Sequence, residues 1–119
     1  RSLVRGGFTT FARFSVMHGK TEVPTSTGDQ KVLEALRTNY DMTAHTRGDS
    51  RQATTLTDDF IDRMAIVGPP EHCIERLKEL QALGLDKVAI SGATRGAAEA
   101  DAAVGRKLVA EKVLVGVKR

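Results

Sequence analysis

The sequence predicts an α/β fold that is mostly helical and contains one short strand of the parallel type, Lys87–Ser91. The order of elements between Arg63 and Gly92 carries this prediction. The apolar run Met64–Val67 is followed by a glycine and two prolines, and proline suits the first helical position because its missing N–H would be unpaired there. The predicted helix ends at Gly84 and leads within a few residues into the apolar strand. Such an αβ step is typical of a parallel sheet covered by helices.

The helix after the prolines is predicted from its apolar spacing. Its apolar side chains recur every three or four residues, so they line one face and require a covering element. They are Cys73, Ile74, Leu77, Leu80 and Leu83.

The first half of the chain is predicted to be helical. Apolar residues at near-helical spacing surround most of the circumference of residues 1–19, so this helix is expected to be buried on more than one side. The pair Gly6-Gly7 weakens it by about 1 kcal/mol per glycine unless close packing requires the missing side chains. Gly19–Gly28 is predicted to be a loop, and Thr27 with Gln30 is predicted to form a capping box that starts the next helix.

A third helix start is predicted at Thr57. Its hydroxyl can accept a backbone N–H at the N-cap, and Asp58 and Asp59 complement the positive end of the helix dipole. The short helix brings Arg63 to the border of the apolar run. After the predicted strand, Gly92–Gly96 is a turn that leads into an alanine-rich helix.

Composition narrows the classes of function. With 119 residues the chain can bury roughly two-thirds of its unfolded surface, enough for a single core. The net charge of +3 is too small for a polyanion-binding surface, so no nucleic-acid partner is expected. One cysteine excludes an internal disulfide, and no signal peptide or membrane-spanning run is recognised. We expect a soluble cytoplasmic protein without a membrane partner, and we interpret the chain as a segment of a longer one because its first four residues already have the pattern of a helix interior.

The sequence gives little support for a metal site or for a nucleophilic cysteine. His18 and His45 are far apart in sequence, and His72 and Cys73 are neighbours on one helix, so they cannot point at a common metal ion. Cys73 lies on the apolar face with no base beside it and is interpreted as a small buried hydrophobe. The residues therefore predict no metal site and no catalytic side chain.

Two features leave an anion-binding role open. Gly92–Gly96 lies between a predicted strand and a helix, where backbone N–H groups favour anions. It lacks the glycine fingerprint of dinucleotide and P-loop sites, and this absence favours a plain turn. Arg63 can bind a carboxylate or phosphate through two N–H groups, or pair with a surface aspartate. The residues alone favour the surface pair.

Several motifs resemble one family. The string from Asp62 to Glu71 (DRMAIVGPPE), with the later Leu83-Gly84 and Lys87–Ile90, resembles the C-terminal part of the luciferase-like monooxygenases. Val4–Gly19 resembles a helix of the deazaflavin-dependent branch of that family, which includes methylene-tetrahydromethanopterin reductases.

This resemblance implies a fold and a reaction. The fold would be the C-terminal portion of a (β/α)8 TIM barrel, with residues 1–62 as the helical region after strand seven and residues 63–119 as the last αβα unit, in which Lys87–Ser91 is strand eight. The reaction would be hydride transfer between FMN or coenzyme F420 and a small organic substrate.

The resemblance also implies that Arg63, Ser91 and Gly92 bind substrate or phosphate, since barrel sites lie at the carboxyl ends of strands. Met64 departs from the aromatic residue usual after this arginine. Catalytic residues would lie in earlier strands, so this segment alone is expected to be inactive and the full-length protein is expected to be a homo-oligomer.

The alternative is a non-enzymatic helical binding module with a mildly basic N-terminal half. It predicts a self-contained core of three or four helices with Lys87–Ser91 absorbed into a helix. The family interpretation instead predicts an exposed strand edge and apolar faces without neighbours.

Overall fold

The computed structural model describes residues 1–18 and 25–118. This part of the chain forms seven α-helices, with one 3₁₀ turn between the second and third and one turn of π-helix between the sixth and seventh. The α-helices are α1 (Arg5–Phe14), α2 (Thr27–Asn39), α3 (Arg51–Thr55), α4 (Asp58–Met64), α5 (Pro70–Ala82), α6 (Glu99–Leu108) and α7 (Leu114–Lys118); the 3₁₀ turn is Met42–Ala44 and the π turn is Val109–Val113.

The main core lies between the helices of the first half. Helices α1, α2 and α3 pack against one another, and α4 adds Phe60 and Ile61 to the same cluster. Phe8 and Phe60 meet with ring centroids 6.1 Å apart. The buried residues of the cluster are Ala12, Val16, Leu33, Leu36, Leu56, Phe60 and Ile61. Removing these apolar side chains from water is the main source of stability here.

A second group of contacts joins the C-terminal helices. Helix α5 packs against the π turn and α7, and it buries Leu77, while Val113 is buried on the opposing side. Gly116 allows this approach, because a Cβ atom at that position would overlap the side chain of Ile74. The predicted apolar face of α5 therefore has a covering element, although only Leu77 on it is fully buried.

The local helix signals are mostly confirmed. Thr57 is the N-cap of α4 and accepts the Phe60 N–H at 3.1 Å. Pro70 is the first residue of α5, and Gly84 follows the helix end with a left-handed φ of +90°.

The predicted capping box of the second helix is wrong by one residue. Ser26, not Thr27, is the N-cap, and its hydroxyl accepts the Asp29 N–H at 3.1 Å while the Asp29 carboxylate accepts the Ser26 N–H at 3.4 Å. Asp29 at the third helical position is the better partner because it is charged and short. Thr27 and Gly28 thus belong to α2, and residues 19–24 of the predicted loop lie outside the described residues.

The predicted buried strand Lys87–Ser91 is not formed in this structure. The five residues are exposed and belong to no helix or strand, with Val88 41% and Ile90 46% exposed. A strand is defined by hydrogen bonds to a neighbouring strand, and within residues 1–18 and 25–118 no β-bridge forms to this segment. The absence of helix here also disagrees with the binding-module alternative.

The exposed apolar surface expected from the family interpretation is present. Leu83 is 79% exposed and Leu85 49% exposed, directly before the segment that contains Val88 and Ile90. None of the helices that the structure describes has the length and hydropathy needed to cross a lipid bilayer.

Candidate functional site

Arg63 lies in the last turn of α4 and binds Asp29 at the start of α2. Its Nη1 donates to one carboxylate oxygen at 3.0 Å and its Nη2 donates to the other at 2.5 Å. The arginine also donates from Nε and Nη2 to Asp59 one helical turn earlier, at 3.2 and 3.0 Å. All three guanidinium nitrogens are therefore engaged by carboxylates of the protein.

Asp29 is the buried member of this ion pair. Its side chain is 5% exposed, against 44% for Arg63 and 80% for Asp59. The hydrogen bonds from Arg63 lower the pKa of Asp29 to about 2, although burial of the carboxylate acts in the opposite direction. Two carboxylates around one guanidinium leave a local net negative charge, which disfavours a further anion. In this arrangement Arg63 joins α4 to the N-terminus of α2.

Ser91 and Gly92 lie in the exposed loop after Lys87–Ile90. A Cβ atom at Gly92 would meet no heavy atom within 4 Å, so the loop is open around it. Within the described ranges, neither residue donates its backbone N–H to another group of the protein, and no hydrogen bond joins either to Arg63. The structure thus does not bring the three predicted site residues into one hydrogen-bonded cluster, and their role in binding substrate or phosphate stays a prediction.

Thr94 is a structural residue of this loop that sequence reasoning missed. It is 8% exposed, its N–H donates to the Leu3 carbonyl at 2.7 Å, and its hydroxyl donates to the Thr46 carbonyl at 2.7 Å. The same hydroxyl accepts the Gly7 N–H at 2.7 Å. Since the N-cap of α1, Val4, has no side chain able to cap it, Thr94 supplies this cap from 87 residues away.

Gly6 makes this contact sterically feasible. A Cβ atom there would lie against the Thr94 hydroxyl and the Arg47 carbonyl carbon, and 2.5 Å from the Gly48 nitrogen. The sequence signal was the Gly6-Gly7 pair, for which close packing was left open as a reason, and the structure shows such packing at Gly6. The partner segment was not recognisable from sequence.

A second missed cluster involves Tyr40 and His45. The Tyr40 hydroxyl and the His45 Nδ1 are 2.7 Å apart, and the guanidinium carbon of Arg13 lies 4.4 Å from the centre of the Tyr40 ring. The sequence analysis considered His45 only as a metal ligand. A helical spacing pattern does not reveal this contact, because α2 ends at Asn39 and His45 follows the 3₁₀ turn Met42–Ala44.

Cys73 has the environment of an unreactive thiol. Burial raises its pKa, and its Sγ donates to the Gly68 carbonyl at 3.6 Å. Among the residues that the structure describes, no three His, Cys, Asp or Glu side chains lie close enough together to hold a metal ion.

Comparison with known proteins supplies the family. Residues 12–87 match the family model described as luciferase-like monooxygenase. No curated protein and no solved structure matches the chain. The family match covers more than half of the 119 residues and includes α2, α3, α4 and α5 with the Arg63–Asp29 pair. The chain therefore belongs to the luciferase-like monooxygenase family.

Proposed function

We propose that this chain is the C-terminal part of a flavin- or deazaflavin-dependent oxidoreductase that transfers hydride between its cofactor and a small organic substrate. The observation that carries the proposal is the family match over residues 12–87. In the proposed domain, residues 1–62 form the helical region after strand seven of a TIM barrel, and residues 63–119 form its last αβα unit.

The exposed segment Lys87–Ser91 supports this placement. Its backbone has no strand partner in the described part of the chain, and its apolar side chains Val88 and Ile90 are half exposed. An exposed apolar segment without secondary structure is the expected state of a parallel strand without its neighbours, since such strands are normally buried on both faces. Helix α5 precedes this segment directly, in the order that an αβ unit requires.

The loop after this segment suits a phosphate group. Ser91 and Gly92 have backbone N–H groups without a protein acceptor in the described residues, and open space surrounds Gly92. Arg95 donates only to the His45 carbonyl, at 3.3 Å, and has no carboxylate partner within the described ranges. FMN and coenzyme F420 both carry a phosphate group, so these residues would hold that end of the cofactor or of a phosphorylated substrate.

The cofactor ring, when bound, supplies the hydride chemistry. The residues of this chain would position the loop that holds the cofactor. Thr94 binds this loop to α1, and Arg63 of α4 binds Asp29 of α2. For Arg63 to bind a substrate phosphate directly, Asp29 would have to leave its guanidinium group. We assign no catalytic residue in this chain.

The test is cofactor binding by the protein expressed from the whole reading frame that contains this chain. FMN and coenzyme F420 are titrated separately, and binding is followed by the change in cofactor fluorescence. We expect saturable binding of one of the two. If neither cofactor binds, the redox proposal is refuted.

A pair of variants tests the phosphate loop. Gly92→Asp introduces a negative charge where the space is open, and we expect it to weaken cofactor binding at least tenfold. Ala98→Asp makes the same charge change at the exposed start of α6 and is expected to have little effect. Equal affinity of the Gly92→Asp variant and the unmodified protein would refute the phosphate assignment but leave the family fold intact.

A further inference from the structure

Tyr40 and His45 form a hydrogen-bonded pair at the surface of the first-half core. Their Oη and Nδ1 atoms are 2.7 Å apart, and their rings meet edge to face with centroids 6.0 Å apart. Both residues are half-buried. When the phenol donates to Nδ1, the other imidazole nitrogen, Nε2, carries the proton and is a donor for which the described structure shows no acceptor.

Arg13 adds a cation to this pair. Its guanidinium lies over the Tyr40 ring at 4.4 Å, a distance at which the ring face attracts a positive charge. Its hydrogen bond to the protein is a weak one, from Nη1 to the Met42 sulfur at 3.4 Å. A guanidinium has five N–H groups, so most of its donors have no acceptor among the described residues.

The charge on Arg13 is not compensated by the described residues. Seven other arginines in residues 1–18 and 25–118 form ion pairs with carboxylates, and Arg13 does not. The carboxylate next to the pair, Asp41, is turned onto Thr43, whose N–H and hydroxyl lie 2.8 and 2.7 Å from one oxygen. A second arginine without a carboxylate partner there, Arg95, donates to the His45 carbonyl.

The turn that carries His45 is held on both sides by buried polar side chains. Gln52, fully buried, donates to the Asp41 and Ala44 carbonyls at 2.9 and 3.2 Å and accepts the Asp41 N–H at 3.2 Å. On the other side, Thr94 donates to the Thr46 carbonyl.

Thr46 itself has a left-handed φ of +63°, which is costly for a β-branched residue. Strained backbone persists where surrounding contacts over-determine it, and such contacts position adjacent side chains well for binding.

We propose that Arg13, Tyr40 and His45 form a binding site for a phosphate group of a small ligand. Arg13 supplies the charge and the planar set of donors, His45 supplies Nε2–H, and Tyr40 orients both through its ring face and its hydroxyl. The proposal rests on the contacts of these three residues and is independent of the redox function proposed above.

The test is an NMR titration of the protein with inorganic phosphate at constant ionic strength, so that general screening does not change. The ring signals of Tyr40 and His45 are followed. We expect them to shift and saturate, with acetate binding at least tenfold more weakly. Arg13→Gln is expected to weaken phosphate binding at least tenfold, and Arg13→Lys to recover part of the loss because it restores the charge without the planar donors.

Arg51→Gln is the matched control. Arg51 is an exposed arginine at the first position of α3 with no carboxylate partner in the described ranges, so the variant makes the same charge change at a residue that forms no hydrogen bond with Arg13, Tyr40 or His45. Tyr40→Phe keeps the ring under Arg13 and removes the hydrogen bond to the imidazole, so it is expected to weaken binding several-fold. The absence of saturation in the unmodified protein, equal losses in the Arg13 and Arg51 variants, or acetate binding as tightly as phosphate would each overturn the proposal.

Discussion

Replacing Gly6 by alanine tests the close contact between α1 and the Thr94 loop. Gly6 lies in the first turn of α1, and an added Cβ atom would meet backbone atoms of Arg47 and Gly48, which cannot rotate away. Helix α1 and the 46–48 turn would therefore have to move apart. That movement would also stretch the hydrogen bonds of the Thr94 hydroxyl, which bridges the same two segments.

The expected magnitude is a difference of two opposing terms. Alanine stabilises a helix relative to glycine by up to about 1 kcal/mol. Overpacking a close contact costs about 1–3 kcal/mol, and the cost should lie at the upper end here because the overlap is with backbone. We expect the Gly6→Ala variant to lose about 1–2 kcal/mol of unfolding free energy. For a chain of this length the loss corresponds to a drop in Tm of roughly 3–10 °C.

Gly7→Ala is the matched control in the same helical turn. A Cβ atom at Gly7 would lie 4.0 Å from the Thr94 hydroxyl oxygen, which is ordinary van der Waals distance. This variant should therefore keep the helix-propensity gain of up to about 1 kcal/mol. Urea denaturation, followed by circular dichroism, measures the unfolding free energy of both variants. The reasoning is refuted if the Gly6→Ala variant proves as stable as the Gly7→Ala variant.

Three further predictions concern buried or paired side chains. Gln52→Ala removes three hydrogen bonds between the fully buried Gln52 side chain and the backbone of residues 41 and 44, so we expect a loss of about 1–3 kcal/mol of unfolding free energy in urea denaturation. A loss below about 0.5 kcal/mol would contradict this role. The Asp29 pKa is lowered from 3.8 to about 2, so its pairing with Arg63 stabilises the fold fully above about pH 4 and is lost as the pH falls through 2. Asp29→Asn should therefore lower the unfolding free energy at pH 7, and its difference from the unmodified protein should shrink between pH 4 and pH 2. The exposed Glu34→Gln variant should change this free energy little. Parallel pH profiles of unfolding free energy for all three proteins would argue against the assignment. Cys73, whose pKa is raised by burial, should react with iodoacetamide at pH 8 more slowly than a free cysteine peptide, and equal rates would show that its environment is not apolar.

Local signals predicted three helix boundaries correctly. Thr57, Pro70 and Gly84 act on backbone groups within four residues of themselves, so their effect is decided by neighbouring sequence. The one-residue error at Ser26 has the same local origin, because two overlapping cap patterns compete and the charged Asp29 decides between them.

The candidate site was predictable only in part. From the residues alone, Arg63 could bind a carboxylate or phosphate through two N–H groups or pair with a surface aspartate, and the surface pair was favoured. The identity of that aspartate, 34 residues away and buried, was not predictable from sequence. The residue patterns that predict helices contain no information on which side chains of separate helices meet.

By itself the sequence determined the start of α4, the two ends of α5, the amphipathic character of α5 and the membership of a family, since each depends on residue types in a fixed local order. Only the tertiary structure decided that Thr94 caps α1, that Gly6 contacts the 46–48 turn, and that Arg13 lies over the Tyr40–His45 pair. Lys87–Ser91 shows the physical reason most clearly. Its composition favours a strand, yet a strand exists only through hydrogen bonds to a neighbouring strand, and the described part of the chain forms no such bonds with it.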